Sequence, residues 1–244
     1  MNNSLKVTAI LTAFNEQPRI AKVLHPLLQS RLVSEIIAVD DGSTDGTSQE
    51  IAKFDRVTLV RNKRNLGKHH ALNIGIKRAH GNIILFLDSD LNNLTTSIVD
   101  QLIIPVYKNA ADIAMGYRNG NSIFKYIYFL TEPCLTGERC LKKSDYVKII
   151  TNKKLKNFQT ETAMNKYFLD NRKKIAIVSC NKLTQTLKYK KYGMLRGWWN
   201  DFAMTVSIVY KFGFMEIFRQ MIYISLFFHY KFMLSKSKNI IFIN

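Results

Sequence analysis

The sequence predicts an α/β fold: a largely parallel sheet flanked by helices, with an amphipathic helical segment at its C-terminal end. Three observations point there. Short apolar, β-rich runs alternate with segments of helical period throughout the first half. Polar loops rich in Gly, Ser, Thr and Asp follow those runs, where parallel sheets bind ligands. From Trp198 onward, aromatic and aliphatic residues dominate, broken by single charges such as Lys211, Glu216, Arg219 and Lys231.

Strands are expected at 7–13, 35–40, 57–61, 82–88 and 112–116. Between the first two, RIAKVLHPLLQSR sets Ile20, Val23, Leu24, Leu27 and Leu28 on one helical face, and Pro26 is expected to kink it. The opening run VTAILTAF passes straight into Asn15 and Glu16 with no small-residue cleavage site, so it reads as a buried strand and not as a leader. Further on, helices are expected near 122–130 and 160–171, and a strand at KIAIVSC. The longest uncharged run of the tail, 220–230, falls short of the ~20 residues that span a bilayer, so the tail reads as interfacial. The expected organisation is one core-bearing domain over 1–201, with halves 1–118 and 119–201, followed by a tail over 202–244.

Three cysteines, Cys134, Cys140 and Cys180, form no CxxC pair and have no His at zinc-ligand spacing. That argues against a disulfide framework or a structural zinc site and fits a reducing cytoplasm. The formal charge of +18 is placed unevenly. Residues 1–120 hold 14 Lys/Arg against 11 Asp/Glu, a net of +3, whereas 121–244 hold 22 against 7, a net of +15. The basic half is therefore expected to face something anionic: nucleic acid, a membrane surface or a phosphorylated molecule.

The chemistry-bearing residues follow the strands. ILFLDSD delivers Asp88 and Asp90, flanking Ser89, at a strand end, and side chains two apart on an extended backbone share a side. Such a pair suits a hard divalent cation that bridges protein to a diphosphate. In DDGSTDGT, Asp40 or Asp41 is placed to accept the ring N–H of a uracil or guanine, while Ser43, Thr44 or Asp45 would cap a helix. In NLGKHHAL, Gly67 permits close backbone approach and Lys68 stands at a helix start where a cation meets phosphate. The adjacent His69 and His70 point in different directions on a helix and make a poor metal pair.

TAFNE at 12–16, VDDGSTDGT at 39–47, NLGKHHALNIGIKRAHG at 65–81 and LFLDSDL at 85–91 together resemble the family 2 glycosyltransferases. The resemblance covers roughly the first 120 residues, and its one departure is Thr12, where the family often has proline. It implies a GT-A type, Rossmann-like fold and a nucleotide-sugar donor lined by Ala13, Phe14, Glu16, Gly67, Lys68 and Ser89. Asp40 or Asp41 would lie near the base, Asp88 near the ribose and Asp90 on Mg2+ or Mn2+. LTGERCLKK looks like the family's acceptor segment, so Thr136, Gly137, Glu138 and Arg139 are expected to receive a phosphorylated or lipid-phosphate acceptor. Glu138 would orient that acceptor, its bland alternative being an ion pair with Arg139 or Lys142, and Arg139 would bind its phosphate. Glu161 falls where many inverting members put a catalytic acid or base, against the plain reading of a solvated helix residue. The family's further metal ligand, often His, is missing from LKYKKYGML, where Lys188, Lys190, Lys191 and Arg196 would instead stabilise the departing diphosphate.

The sequence thus predicts a metal-dependent glycosyltransferase, peripheral at the inner face of the membrane, or alternatively a soluble transferase acting on a small phosphorylated acceptor. A nucleic-acid-binding module would leave the strand-end carboxylates as accidents. A dinucleotide oxidoreductase is disfavoured because AFNEQP, with no GxGxxG, follows the first strand.

Overall fold

In the computed structural model, residues 5–118, 133–151, 155, 159–180, 182–186, 194–234 and 239–243 are described. The first half runs β1 (Val7–Ala13), α1 (Ile20–Gln29), β2 (Val33–Asp40), α2 (Thr47–Ile51), β3 (Val57–Arg61), α3 (Lys68–Arg78), β4 (Ile83–Asp88), β5 (Leu91–Asn92), α4 (Thr96–Tyr107) and β6 (Ile113–Tyr117). The second half contributes β7 (Arg139–Lys142), α5 (Lys143–Thr151), α6 (Gln159–Asp170), β8 (Ile175–Ser179), β9 (Thr184–Gln185) and α7 (Met194–Phe212). It continues through α8 (Phe214–Gln220), a π-helical stretch (Met221–Leu226), α9 (Phe227–Leu234) and β10 (Ile240–Ile243).

Eight strands form one sheet in the order β10-β8-β6-β7-β4-β1-β2-β3. β1 runs parallel to both β2 and β4, β2 to β3, and β6 to β8. β7 lies antiparallel between β4 and β6, and β10 is antiparallel at the edge beside β8. Helices on both faces explain why the central strands read as continuous apolar runs. Along β1, Ala9 and Leu11 face one core with Leu24 of α1 and Leu102 of α4, while Ile10 faces the other with Leu72 of α3 and Phe168 of α6. α1 continues through the buried Pro26.

The tail is woven into this body. α7 runs unbroken across residue 201, β10 completes the sheet edge, and Ile224 and Phe228 are fully buried in the second core. The Phe228 ring packs 4.8 Å from that of Tyr117. Its outer side is different: Tyr210, Phe214, Met215 and Tyr230 are exposed. The helix expected at 122–130 lies outside the described residues, as do Lys188, Lys190, Lys191 and the side chain of Arg196.

Candidate active site

The loops after β1 and β2 are laced together before any ligand is considered. Asn15 N–H donates to Ser43 Oγ at 2.9 Å, Thr44 N–H to Asn15 Oδ1 at 2.9 Å, and Glu16 N–H to Thr47 Oγ1 at 2.8 Å. Asn15 takes a positive φ of 58° to make this turn, and Glu16, buried, pairs with Arg19. Ala13 sits opposite Asp40 in the β1–β2 register, and Phe14 is half-buried beside it. Asp40 is fully buried, accepts the N–H of Ser43 at 2.9 Å and binds the Ser48 hydroxyl. Asp41 accepts from Asn62 Nδ2 at 2.7 Å, Gly67 N–H at 2.8 Å and Leu66 N–H at 3.1 Å. Both carboxylates therefore shape the loop that frames the cleft. Asp45 accepts from Thr47 N–H at 3.0 Å just ahead of α2, whose N-cap position is Gly46.

Gly67 precedes α3 with a φ of 91°, a backbone that only glycine adopts at no steric cost. That turn aims Lys68 across the cleft, its Nζ 2.8 Å from Asp88 Oδ1 and 2.8 Å from Glu161 Oε1. Burial works against the ammonium, but the two carboxylates outweigh it and raise its pKa. Glu161, on α6, is 2% exposed and its Oε2 has no hydrogen-bond partner among the described residues, so the structure replaces the solvated-residue reading with a buried, half-satisfied carboxylate. His69 and His70 do diverge. His69 bonds Thr160 Oγ1 at 2.8 Å and Asn73 at 2.9 Å, while His70 is exposed. Burial lowers the His69 pKa, helped by His70 and opposed by Glu161.

Asp88 ends β4, and the turn beyond it brings Asp90 round so that one side chain reaches both: Gln185 Nε2 donates to Asp90 Oδ1 at 2.9 Å and to Asp88 Oδ2 at 3.3 Å. Ser89 faces back, donating to Thr12 O at 2.8 Å. Asp90 is 6% exposed. Among the described residues no cluster of three His, Cys, Asp or Glu side chains is placed to hold a metal. The donor set still fits a hard divalent cation of the Mg2+ type, which binds through one or two carboxylates and completes its shell with substrate phosphate and water. Among the described residues, Lys68 is shared by Asp88 and Glu161, and Arg118 faces Glu138.

The 136–139 segment presses on this pair from β7. A Cβ on Gly137 would lie 2.5 Å from Asp88 Oδ2, so only glycine leaves room for the carboxylate. Gly137→Ala is therefore expected to turn Asp88 off Lys68 and weaken nucleotide-sugar binding about tenfold. Donor titration by calorimetry reads this, and wild-type affinity would mean that Asp88 yields without cost. Glu138 is fully buried, takes the Thr136 hydroxyl on Oε2 and holds Oε1 3.6 Å from Arg118 Nη1. Its ion-pair partner is thus Arg118, not Arg139 or Lys142. Burial raises its pKa; Arg118 opposes this and Asp88 adds to it. Arg139 departs from its expected role as a phosphate clamp. It is fully buried and donates to Thr136 O at 2.9 Å, Cys134 O at 2.8 Å and Asn165 Oδ1 at 2.6 Å, which braces the loop.

A carboxylate pair after a parallel strand, a cationic side chain beside it and two interlocked loops thus converge at the carboxyl ends of β1, β2 and β4. The family model for glycosyl transferase family 2 matches residues 8–175, well over half of the chain. The chain belongs to glycosyl transferase family 2. Among curated family-related sequences, it is 34% identical over 106 residues to 4,4'-diaponeurosporenoate glycosyltransferase of Staphylococcus aureus (strain bovine RF122 / ET3-1). That match takes in 41% of this chain and 28% of the relative, so the chain aligns with under a third of the relative's length. Among solved structures, glucosyl-3-phosphoglycerate synthase from Mycobacterium tuberculosis with Mn2+, UDP-glucose and phosphoglyceric acid superposes with a TM-score of 0.65 at 20% identity, covering 89% of this chain and 80% of that one. The same enzyme with Mg2+ and UDP gives a TM-score of 0.62 at 21% identity, covering 75% and 72%. The fold of this family 2 chain is accordingly GT-A-like, as the motifs implied. Two side chains at the centre of the site were not foreseen in the sequence, Arg118 and Gln185. MGYRNG carries no capping or motif signal, and the further metal ligand, often His, that the resemblance implies was expected in LKYKKYGML, just beyond Gln185.

Proposed function

We propose that this family 2 glycosyltransferase moves a sugar from a nucleoside diphosphate donor to a phosphorylated, lipid-linked acceptor at a membrane surface, with Mg2+ or Mn2+ held at Asp90. The observation that carries the reading is the convergence of Asp88, Asp90, Lys68 and Glu161 at the carboxyl ends of the strands. The cation would offset charge developing on the leaving diphosphate. The loops bearing Ala13, Phe14, Glu16, Asp40 and Asp41 frame the base, with Gly67, Lys68, Asp88 and Ser89 along the ribose and diphosphate. Glu161, with its unpartnered Oε2, serves a hydroxyl of the reacting sugars as acceptor or base. Thr136, Gly137 and Glu138 border the acceptor side, and Arg139 supports them from below.

The lipid-linked acceptor is supported by the net +15 of residues 121–244 and by the exposed aromatic flank of α7 to α9. Among the described residues no helix is long and apolar enough to cross a membrane. The attachment we propose is peripheral, at the cytoplasmic inner face. A second reading, a small phosphorylated acceptor, is favoured by the phosphoglyceric acid bound in the similar structure. Nucleic acid as partner is disfavoured by the carboxylates that line the cleft.

A thermal-shift panel of UDP, GDP, CDP and dTDP sugars with and without Mn2+ identifies the donor. A ligand at a hundred times its Kd adds about 2.7 kcal/mol of apparent stability. One sugar nucleotide is expected to stand out, and only with metal; no shift with any donor removes the reading. Co-sedimentation with vesicles of 0 and 30 per cent anionic lipid then separates the acceptors. Binding to anionic vesicles that weakens with salt supports the lipid-linked acceptor, and protein left in every supernatant transfers the case to the small one. Because Phe228 and β10 belong to the core, the matched control is Phe214→Ser with Tyr230→Ser, which leaves the buried side intact, and not a truncation.

A further inference from the structure

The Asp88–Asp90 pair is gripped from the second half of the chain by a two-step contact. The short ribbon of β5 and β9 sets Leu91 opposite Gln185 and Asn92 opposite Thr184, and Thr186 N–H donates to Asp90 O at 3.3 Å. The backbone leaving the DSD turn is thereby fastened to the residue whose amide meets both carboxylates. A primary amide has two ends of similar size, one a donor and one an acceptor, and its orientation is set by what each end meets. Here the oxygen end accepts from Arg118 Nη1 at 2.7 Å. Reversing the amide would set a carbonyl oxygen against Asp88 and Asp90 and an NH2 group against a guanidinium. Both contacts would turn repulsive at once.

Arg118 is itself held in place. It is 6% exposed and follows directly on β6, where Tyr117 lies opposite Ser179 of β8 and Cys180 N–H donates to Tyr117 O at 2.8 Å. Its Nη1 also stands 3.6 Å from Glu138 Oε1, so one guanidinium faces the 136–139 segment and, through Gln185, the strand-end carboxylates. The choice of an amide between those carboxylates matters. Lys68 already offsets part of the charge on Asp88; a second ammonium or guanidinium between the carboxylates would offset more and compete with a cation, whereas a neutral donor draws the two together without adding charge.

We propose that Arg118, acting through Gln185, is the positioning residue of the cation site: it fixes the amide, and the amide fixes the spacing of Asp88 and Asp90. The proposal rests on the reading of Asp90 as cation ligand. It assigns Arg118 a duty toward metal affinity that does not require contact with either substrate.

The test is a titration with Mn2+ alone, following the free-ion signal by electron paramagnetic resonance, for wild type, Gln185→Met, Arg118→Met and the double variant. Partners that orient metal ligands typically contribute tenfold or more to affinity. Each single variant is expected to bind Mn2+ about tenfold more weakly, and the double variant no more weakly than the worse single one, because both changes interrupt one contact chain. Wild-type affinity in Arg118→Met, or losses that multiply in the double variant, would overturn the proposal. Melting temperatures of the metal-free proteins separate a purely structural role, which would lower stability and leave the affinity of the folded protein unchanged. If Arg118→Met does not fold, Arg118→Lys keeps the charge beside Glu138 but lacks the fixed fork, and it is judged by the same two criteria. A wild type that binds no Mn2+ overturns the cation reading itself; a wild type that binds, with unaffected variants, overturns only the part assigned to Arg118.

Discussion

Asp90→Ala is expected to lower sugar transfer by on the order of 10²–10³-fold while leaving the melting temperature near that of wild type. The catalytic loss follows from removing the carboxylate that would hold the cation against the diphosphate. The small effect on folding follows from the surroundings: Gln185 Nε2 keeps Asp88 Oδ2 as an acceptor, and Asp88 loses a like-charged neighbour. Burial of Asp90 at 6% exposure makes the second half of this expectation a real test, since a deep polar group removed without compensation destabilises. Transfer assays with the donor identified by thermal shift, beside thermal melts, decide it. Undiminished activity, in the variant or in wild type with excess chelator, removes the metal from the mechanism.

Lys68→Met is expected to cost roughly 3 kcal/mol of folding stability, at the low end for breaking a buried ion pair because Asp88 and Lys68 keep some solvent contact. The substitution strands Glu161, which is 2% exposed and already has an oxygen without a partner. Adding Glu161→Gln to Lys68→Met is expected to recover part of the loss, because it neutralises the stranded charge. The sign with pH is fixed by the direction of the Lys68 shift. A raised ammonium pKa contributes stability that is fully present below the unfolded-state value near 10.4 and fades only as pH rises toward the folded value. The difference between wild type and Lys68→Met should therefore be flat across neutral pH. Urea denaturation at several pH values measures it. A wild-type midpoint in Lys68→Met contradicts the ion-pair account, and a double variant no more stable than the single one shows that Glu161 is not the stranded charge.

The exposed flank of the tail has a physical logic that bears on both acceptor readings. Phe214 and Phe218 stack, as do Tyr223 and Phe227, each pair one helical turn apart on the outer side, while Ile224 and Phe228 point into the core. A helical segment buried on one side and aromatic on the other is suited to a surface with an apolar layer beneath charged groups. Lys211 is exposed at the end of α7, and Glu216 and Asp170 are both paired with Arg219.

The sequence by itself determined the parallel half of the molecule. Strands 7–13 and 57–61 fall where the apolar runs put them, and β2, β4 and β6 differ only at their ends; β1, β2, β4 and β6 are largely buried on both faces and leave a run of apolar residues, while β3, at the sheet edge, is only partly buried. It also determined the place of Asp88, Gly67 and Lys68, since strand ends and helix starts are local properties; Asp90, expected on the same extended backbone as Asp88, lies instead in the turn beyond β4. β7 and β10 were not legible. RCLK and IIFI are four residues each, and an antiparallel strand slotted between β4 and β6 is recognised only by the neighbours that pair with it. Tertiary structure alone decided the partners of Arg139, Glu161, Gln185 and Arg118. Whether a charged side chain braces a loop, faces water or sets the geometry of a carboxylate pair depends on partners tens of residues away. Arg139 finds Asn165, Lys68 finds Glu161, and Arg118 finds Gln185 across separations that no local pattern records. Burial makes these choices binding, because a polar group taken out of water must take the partner that the fold supplies.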